Sequence, residues 1–348
     1  MKNLIFNFLC ALCVTFGFGH PAYADSYEIT QFVESLEVGE AIYHDTVTII
    51  PIYTTRIKDT SRYVSLSEAL RNQWLEIDEM GGGNVPEVEL TNHSDRYIYI
   101  MGGEILTGCK QDRIVGRDVL IRPRSRQVAV PVYCVEQGRW EYNSDQFYTK
   151  ENLGTANLRG YAQRAGSSAQ QTIWNEVAKV SRDVRVESRT RAYQEVYDSV
   201  AVKKSVSTYE KAFHSIPHLH KDTIGAIVAV GNTIVSVDIF ANSYLFKTYW
   251  PKILKSSALT ATTERRSGSI TQRDAIRFLR RLHDINYTQN PGIDAGYELS
   301  AFDANANVNA LVYRGSVIHV AAFVERNSYI WNNYGGRERR LPVTRYQR

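Results

Sequence analysis

The chain has 348 residues, of which 41 are lysine or arginine and 37 are aspartate or glutamate. So mild a positive balance does not supply the basic surface that nucleic acid requires, and nucleic acid is not the expected partner. With 43% hydrophobic residues the chain can bury a substantial core, as one large domain or two ordinary ones.

The first 24 residues read as a cleavable signal peptide. Lys2 gives a small positive start, Leu4 to Phe18 an apolar stretch, and Ala22-Tyr23-Ala24 the small-x-small cleavage pattern. The stretch is broken by Asn7, Thr15 and Gly17, whereas a membrane span needs about 20 apolar residues. The expectation is therefore export to the periplasm or beyond, with no integral membrane segment after processing. Of four cysteines, Cys109 and Cys134 lie outside the peptide. An even pair in an oxidising compartment is the simplest input for one disulfide, and two buried free thiols are the alternative.

The main domain is expected over 25–330: β-rich over 25–150, helical over 165–216, and mixed hairpins and helices over 221–325. Thr46 to Tyr53 and Glu87 to Leu90 have strand patterns. Between them Ser65 to Leu70 reads as a short helix, with Ser65 and Glu68 spaced as a capping box. Gly81-Gly82-Gly83 reads as a turn rather than a phosphate cradle, because no helix with Lys-Ser/Thr follows it.

From Gln170 to Val200 the period becomes helical, as one long helix or a broken pair, with Ile173, Val177, Val180 and Val184 on one face. Thr223 to Phe240 forms a hairpin around Gly231-Asn232, and Asn309 to Phe323 a second around Arg314-Gly315. Between them Ser243 is the expected cap of a helix that Pro251 should kink or split. Thr271 with Asp274 caps another, burying Ile276, Leu279 and Leu282. Residues 331–348 read as a mobile basic tail. The fold class is α+β: mostly antiparallel sheet with hairpins, a central helical segment, and helices between the last two hairpins.

The most distinctive stretch runs through Gly103-Glu104-Ile105-Leu106, Gly108-Cys109-Lys110-Gln111-Asp112-Arg113 and Val130 to Trp140, which ends Cys134-Val135-Glu136-Gln137-Gly138-Arg139-Trp140. With Gly225 to Gly231, Asp238-Ile239-Phe240 and Tyr249 to Leu254 it resembles the domain family named for its association with ADP-ribosylglycohydrolases and rhodanese-phosphatases. The resemblance covers most of Ser65 to Phe323. It implies a link to nucleotide or ADP-ribose processes through gene neighbourhoods, and brings no established reaction. Cys134 fits the family pattern, while Cys109 stands where a small, non-sulfur residue is expected.

Glu104, Lys110, Gln111, Arg113, Glu136, Arg139 and Trp140 read as the parts of a ligand site. Arg113 and Arg139 offer planar forks for an anion, Gln111 an amide for a base edge, and Trp140 a ring for stacking. The competing reading is structural: Glu104 pairs with Arg113, Glu136 pairs with Arg139, and Trp140 fills the core. The expected role is an exported ligand-binding or accessory protein for an anionic or nucleotide-like small molecule. The alternatives are a carboxylate-dependent hydrolase using Glu104 and Glu136, and an envelope scaffold presenting basic helices. No motif identifies a cofactor or an oligomeric state. His214, His218 and His220 are weak metal candidates, better read as loop histidines because Pro217 breaks their spacing, and His319 reads as a hydrogen-bonded sheet residue.

Overall fold

The computed structural model describes residues 23–24, 27–56, 59–81, 86–164, 166, 168–264, 266–303 and 306–324. Most of the expected signal peptide, Gly82-Gly83 and the expected tail lie outside the described residues. The architecture is α+β with mostly antiparallel sheets.

The largest sheet runs in the order Tyr23–Ala24, Tyr287–Pro291, Tyr297–Asp303, Ala306–Tyr313, Ser316–Val324, Thr233–Phe240, Thr223–Val230 and Val47–Tyr53. Both Glu37–Val38 and Ile42–His44 pair with the last of these. The two expected hairpins are neighbours within it, because Ser236 to Phe240 pairs with Phe323 to His319. Gly231 (φ +58°) and Arg314-Gly315 (φ +50° and +72°) make the two turns.

This sheet is covered on both sides. Ala226, Val228 and Val230 enter one core, together with the helices Ala156–Arg164, Ala169–Asp183, Val200–Phe213 and Ser243–Thr263. Ile227 and Ala229 enter a second core with the helices Tyr27–Glu34 and Gln272–Asp284. Two-sided burial is why these strands are apolar nearly throughout although they are antiparallel.

The helix expected after Gln170 is broken, ending at Asp183 before Gln194–Asp198. Thr271 and Asp274 form both bonds of the capping box. Two details differ from expectation. Asn242, not Ser243, caps its helix by accepting from the Leu245 amide at 3.0 Å. That helix also continues through Pro251. An internal proline costs about 3 kcal/mol, but burying Trp250, Ile253 and Leu254 returns about 1.5 to 3 kcal/mol each.

Two smaller sheets hold the third core. One has the order Phe147–Tyr148, Ile105–Gly108, Arg113–Val115, Val128–Cys134, Glu87–Asn92 and Leu75–Glu79; the other has Val119–Ile121, Ile98–Ile100 and Val64–Ser65. Ser65 caps the helix Leu66–Arg71 by accepting from Glu68 N. The helix Ala156–Arg164, not foreseen, lies so close to the large sheet that a Cβ at Gly160 would stand 3.1 Å from the Phe323 Cβ. Glycine admits that approach.

Candidate functional site

The turn between Ile105–Gly108 and Arg113–Val115 brings four of the seven expected residues together. Gly108 (φ +117°) and Cys109 (φ +44°) swing the chain outward, and a Cβ at Gly108 would collide with the Ser144 hydroxyl. The turn is held through its amides. Gly108 N donates to Asp112 Oδ1 at 3.1 Å, Asp112 N to Glu136 Oε2 at 3.1 Å, Lys110 N to Glu79 Oε1 at 3.1 Å, and Cys109 N to Ser144 Oγ at 3.0 Å.

Arg139 closes the arrangement. Its Nε donates to Glu136 Oε1 at 2.9 Å, and one terminal nitrogen reaches Glu136 Oε2 at 2.6 Å, Asp112 Oδ1 at 3.2 Å and the Gly108 carbonyl at 3.3 Å. The other terminal nitrogen donates to the carbonyls of Cys109 and Glu141. The guanidinium fork expected to grip a ligand is thus spent on protein acceptors, clamping two loops together.

Below it lies fully buried Arg113, which donates to Gln111 Oε1 at 3.1 Å and stands 3.7 Å from Glu79 Oε2. Gln111 in turn donates to the Glu136 carbonyl at 3.0 Å. Arg113 Nε and one terminal nitrogen are buried without a hydrogen-bond partner, so this guanidinium is a structural charge rather than a surface fork.

The two carboxyl groups beside Arg139 are driven apart. Burial, followed by the neighbouring Glu136 charge, pushes Asp112 up to about 6. Burial acts upward on Glu136 as well, but the Arg139 and Thr190 hydrogen bonds and the Asp112 amide outweigh it and hold Glu136 below the usual range. Such a split is the pattern of an acid and base pair. Glu104 takes no part. It is fully buried, accepts from Met101 N at 3.0 Å, and is ion-paired with Lys252 of the helix Ser243–Thr263. Neither of the pairings expected for Glu104 and Trp140 holds: Glu104 does not meet Arg113, and Trp140 is 52% exposed rather than core.

Trp140 and Lys110 instead form the outer face above the clamp. The Lys110 ammonium lies 5.3 Å from the Trp140 ring centroid and 5.1 Å from that of Tyr142, which is 57% exposed. The loop that presents these rings is pinned by Asn143 N to the Cys109 carbonyl at 2.9 Å and by Ser144 Oγ to the Gln146 carbonyl at 2.7 Å. A cation between two rings on a fixed loop can hold an anionic group beside a planar or apolar one.

The disulfide expectation is corrected: Cys109 and Cys134 are both free and buried. Each thiol faces a carbonyl, Cys109 that of Asp145 at 3.6 Å and Cys134 that of Glu136 at 3.3 Å. Burial pushes Cys109 up to about 12 and raises Cys134 as well. His214 Nδ1 lies 3.2 Å from the Glu210 carbonyl, His220 accepts from Asp222 N at 3.3 Å, and His218 lies in the 3-10 turn Ile216–His218. Among the described residues no three His, Cys, Asp or Glu side chains gather as a metal site.

One polar network was invisible in the sequence as a network. His319 Nδ1 lies 2.7 Å from Asp118 Oδ2, its Nε2 lies 3.3 Å from Asp238 Oδ1, and Arg159 binds Asp238 with both terminal nitrogens at 2.6 and 3.1 Å. Asp118 Oδ1 also accepts from Gly102 N at 2.7 Å. Burial acts downward on His319, but Asp118 and then Asp238 raise it to about 9. Burial acts upward on Asp238, yet Arg159 and His319 bring it down to about 2. The sequence signal was a single titratable residue in each of two otherwise uncharged strands, Asp238 and His319. These four side chains join the large sheet to the smaller ones.

Among the described residues no helix is long and apolar enough to cross a membrane. In comparisons with curated proteins and with solved structures, nothing matches the chain. Over residues 35–323 it matches the family model of the ARPP-1 domain, the ARG and Rhodanese-Phosphatase-superfamily-associated Protein domain, and it belongs to that family.

Proposed function

We propose that the chain is an exported binding protein for an anionic, ring-bearing small molecule of nucleotide type, engaged at the Lys110, Trp140 and Tyr142 face. The observation that carries this reading is the Lys110 ammonium set between two exposed aromatic rings on a loop that Arg139 clamps from beneath. A loop pinned by these hydrogen bonds has less freedom to lose when a ligand binds, which lowers the cost of binding. In this reading Lys110 meets the anionic group and Trp140 or Tyr142 the ring. Glu136, Arg139, Gln111 and Arg113 position the loops and do not touch the ligand.

Titration calorimetry with AMP and ADP tests it. Lys110→Ala and Trp140→Ala should each weaken binding about tenfold or more, corresponding to about 1.4 kcal/mol, while the fold is kept. Unchanged affinity in both variants would sink the proposal. Export rests on the sequence, and N-terminal sequencing of protein from the cell envelope should find a mature chain starting near Asp25.

A second reading is favoured by the split between Asp112 and Glu136. If the protein hydrolyses its ligand, the acid and base are this pair, and Glu104 is not involved. Incubation with nucleotide and sugar-phosphate pools should then show turnover that Asp112→Asn abolishes; no turnover of any member of those pools rejects it.

A further inference from the structure

A cleft of about 360 Å³ opens where the large sheet meets the three-stranded one. Val64–Ser65 and Ile98–Ile100 are parallel neighbours, and Val64 N donates to the Tyr97 carbonyl at 3.0 Å. The residues that lead into these two strands therefore emerge at the same end. Arg62 and Tyr63 come from one, Arg96 and Tyr97 from the other, and the Tyr313-Arg314 turn of the last hairpin closes the third side.

This composition is not what packing alone demands. Arg62, Arg96 and Arg314 are exposed, and each guanidinium is held along an aromatic face: Arg62 over Tyr244 at 4.7 Å, Arg96 over Trp74 at 5.4 Å, Arg314 over Tyr313 at 5.1 Å. Arg62 and Arg314 each also spend a hydrogen bond on the hydroxyl of their tyrosine, and a guanidinium, with five N–H donors, has others to offer an oxyanion. The Tyr97 and Tyr313 hydroxyls share one hydrogen bond of 2.7 Å, which leaves one of the two protons to donate elsewhere. Two carboxylates also line the cleft. Asp59 is occupied within the wall by Ser61 N at 2.7 Å and the Tyr63 hydroxyl at 2.6 Å. Asp95 stands at the rim, with its side chain 84% exposed and 3.9 Å from Arg96.

From this geometry we infer that the cleft is a second binding site, specific for a phosphate-bearing small molecule. Three guanidinium groups from three separate segments suit the several oxygens of a phosphate or diphosphate, whereas a single carboxylate engages one fork. The volume limits the ligand to about the size of a sugar phosphate. Because the walls come from two sheets, an occupant ties them together and stabilises the fold by mass action.

The test uses the full chain with pyrophosphate and ribose 5-phosphate, and with ribose and chloride at matched ionic strength as controls. Both phosphates should bind by calorimetry and raise the melting temperature, and the controls should do neither. Arg62→Gln, Arg96→Gln and Arg314→Asn should each weaken binding at least tenfold; asparagine is chosen at 314 because it tolerates the φ of +50° there. Lys203→Ala, which removes an exposed positive charge outside both proposed sites, should leave phosphate binding unchanged. The inference is overturned if neither phosphate binds, if chloride at equal ionic strength has the same effect, or if the arginine variants bind as the parent does.

Discussion

Raising the pH through 9 should unload the His319 network and loosen the junction between the sheets. His319 is fully buried between Asp118 and Asp238, and its value rises from 6.5 to about 9 on folding. A raised value means that the stabilisation is fully present below pH 6.5 and is lost as pH rises through about 9. A rise of that size corresponds to on the order of 3 kcal/mol. Cys109, raised from 9.0 to about 12, begins to add its own loss above pH 9, where the unfolded thiol ionises; the parallel His319→Gln series carries the same loss and subtracts it. Urea unfolding at pH 6, 7.5, 9 and 9.5, followed by tryptophan fluorescence, reads the effect directly. The parent should lose on the order of 3 kcal/mol across that series. His319→Gln should be less stable at pH 6 and lose the dependence on pH between 6.5 and 9. A parent equally stable at pH 6 and 9.5, or a variant that keeps the full slope, would refute the reasoning.

Three further outcomes follow from the clamp. Arg139→Lys keeps the charge but cannot reach Glu136, Asp112 and three carbonyls at once. It should cost about 1.5 to 3 kcal/mol and lower the melting temperature by roughly 3 to 6 °C; an unchanged melting curve contradicts the clamp. Asp112, raised from 3.8 to about 6, favours the folded state below pH 3.8 and withdraws that support as pH rises through 6. Asp112→Asn should therefore gain stability relative to the parent between pH 4 and 6, and a constant difference in denaturation across that range would count against it. Finally, Cys109 and Cys134 should resist thiol reagents in the native protein and both react once it is unfolded; a protein with no reactive thiol even when unfolded would carry the disulfide after all.

Local chemistry in the sequence foretold the local structure well. Gly231 and Arg314-Gly315 marked two hairpins because few residues accept a positive φ, and Thr271 with Asp274 marked a helix start because the box satisfies two amides at once. Pro251 misled because its penalty is local, while the burial that offsets it comes from residues distant in sequence. Likewise Gly160 reads as a poor helix residue until Phe323 is seen against it.

The same contrast governs the sites. Residues 108 to 140 lie close in the chain, and of them Gln111, Arg113, Glu136 and Arg139 do meet. What the pattern could not reveal is that Arg139 satisfies its donors internally, or that Glu104 finds Lys252 instead. The arginine and tyrosine cleft had no local signature, since Arg62, Arg96 and Arg314 come from three separate stretches.

The central claim is that Lys110, Trp140 and Tyr142 hold an anionic, ring-bearing ligand. Native mass spectrometry of protein purified from the cell envelope tests it most directly, with the Trp140→Ala and Lys110→Ala variants prepared in parallel. The account predicts a retained small molecule with an anionic group and a ring, present on the parent and lost from both variants while the polypeptide stays folded. A parent that carries no ligand and takes up none from a nucleotide pool, or a ligand retained equally by both variants, would contradict it.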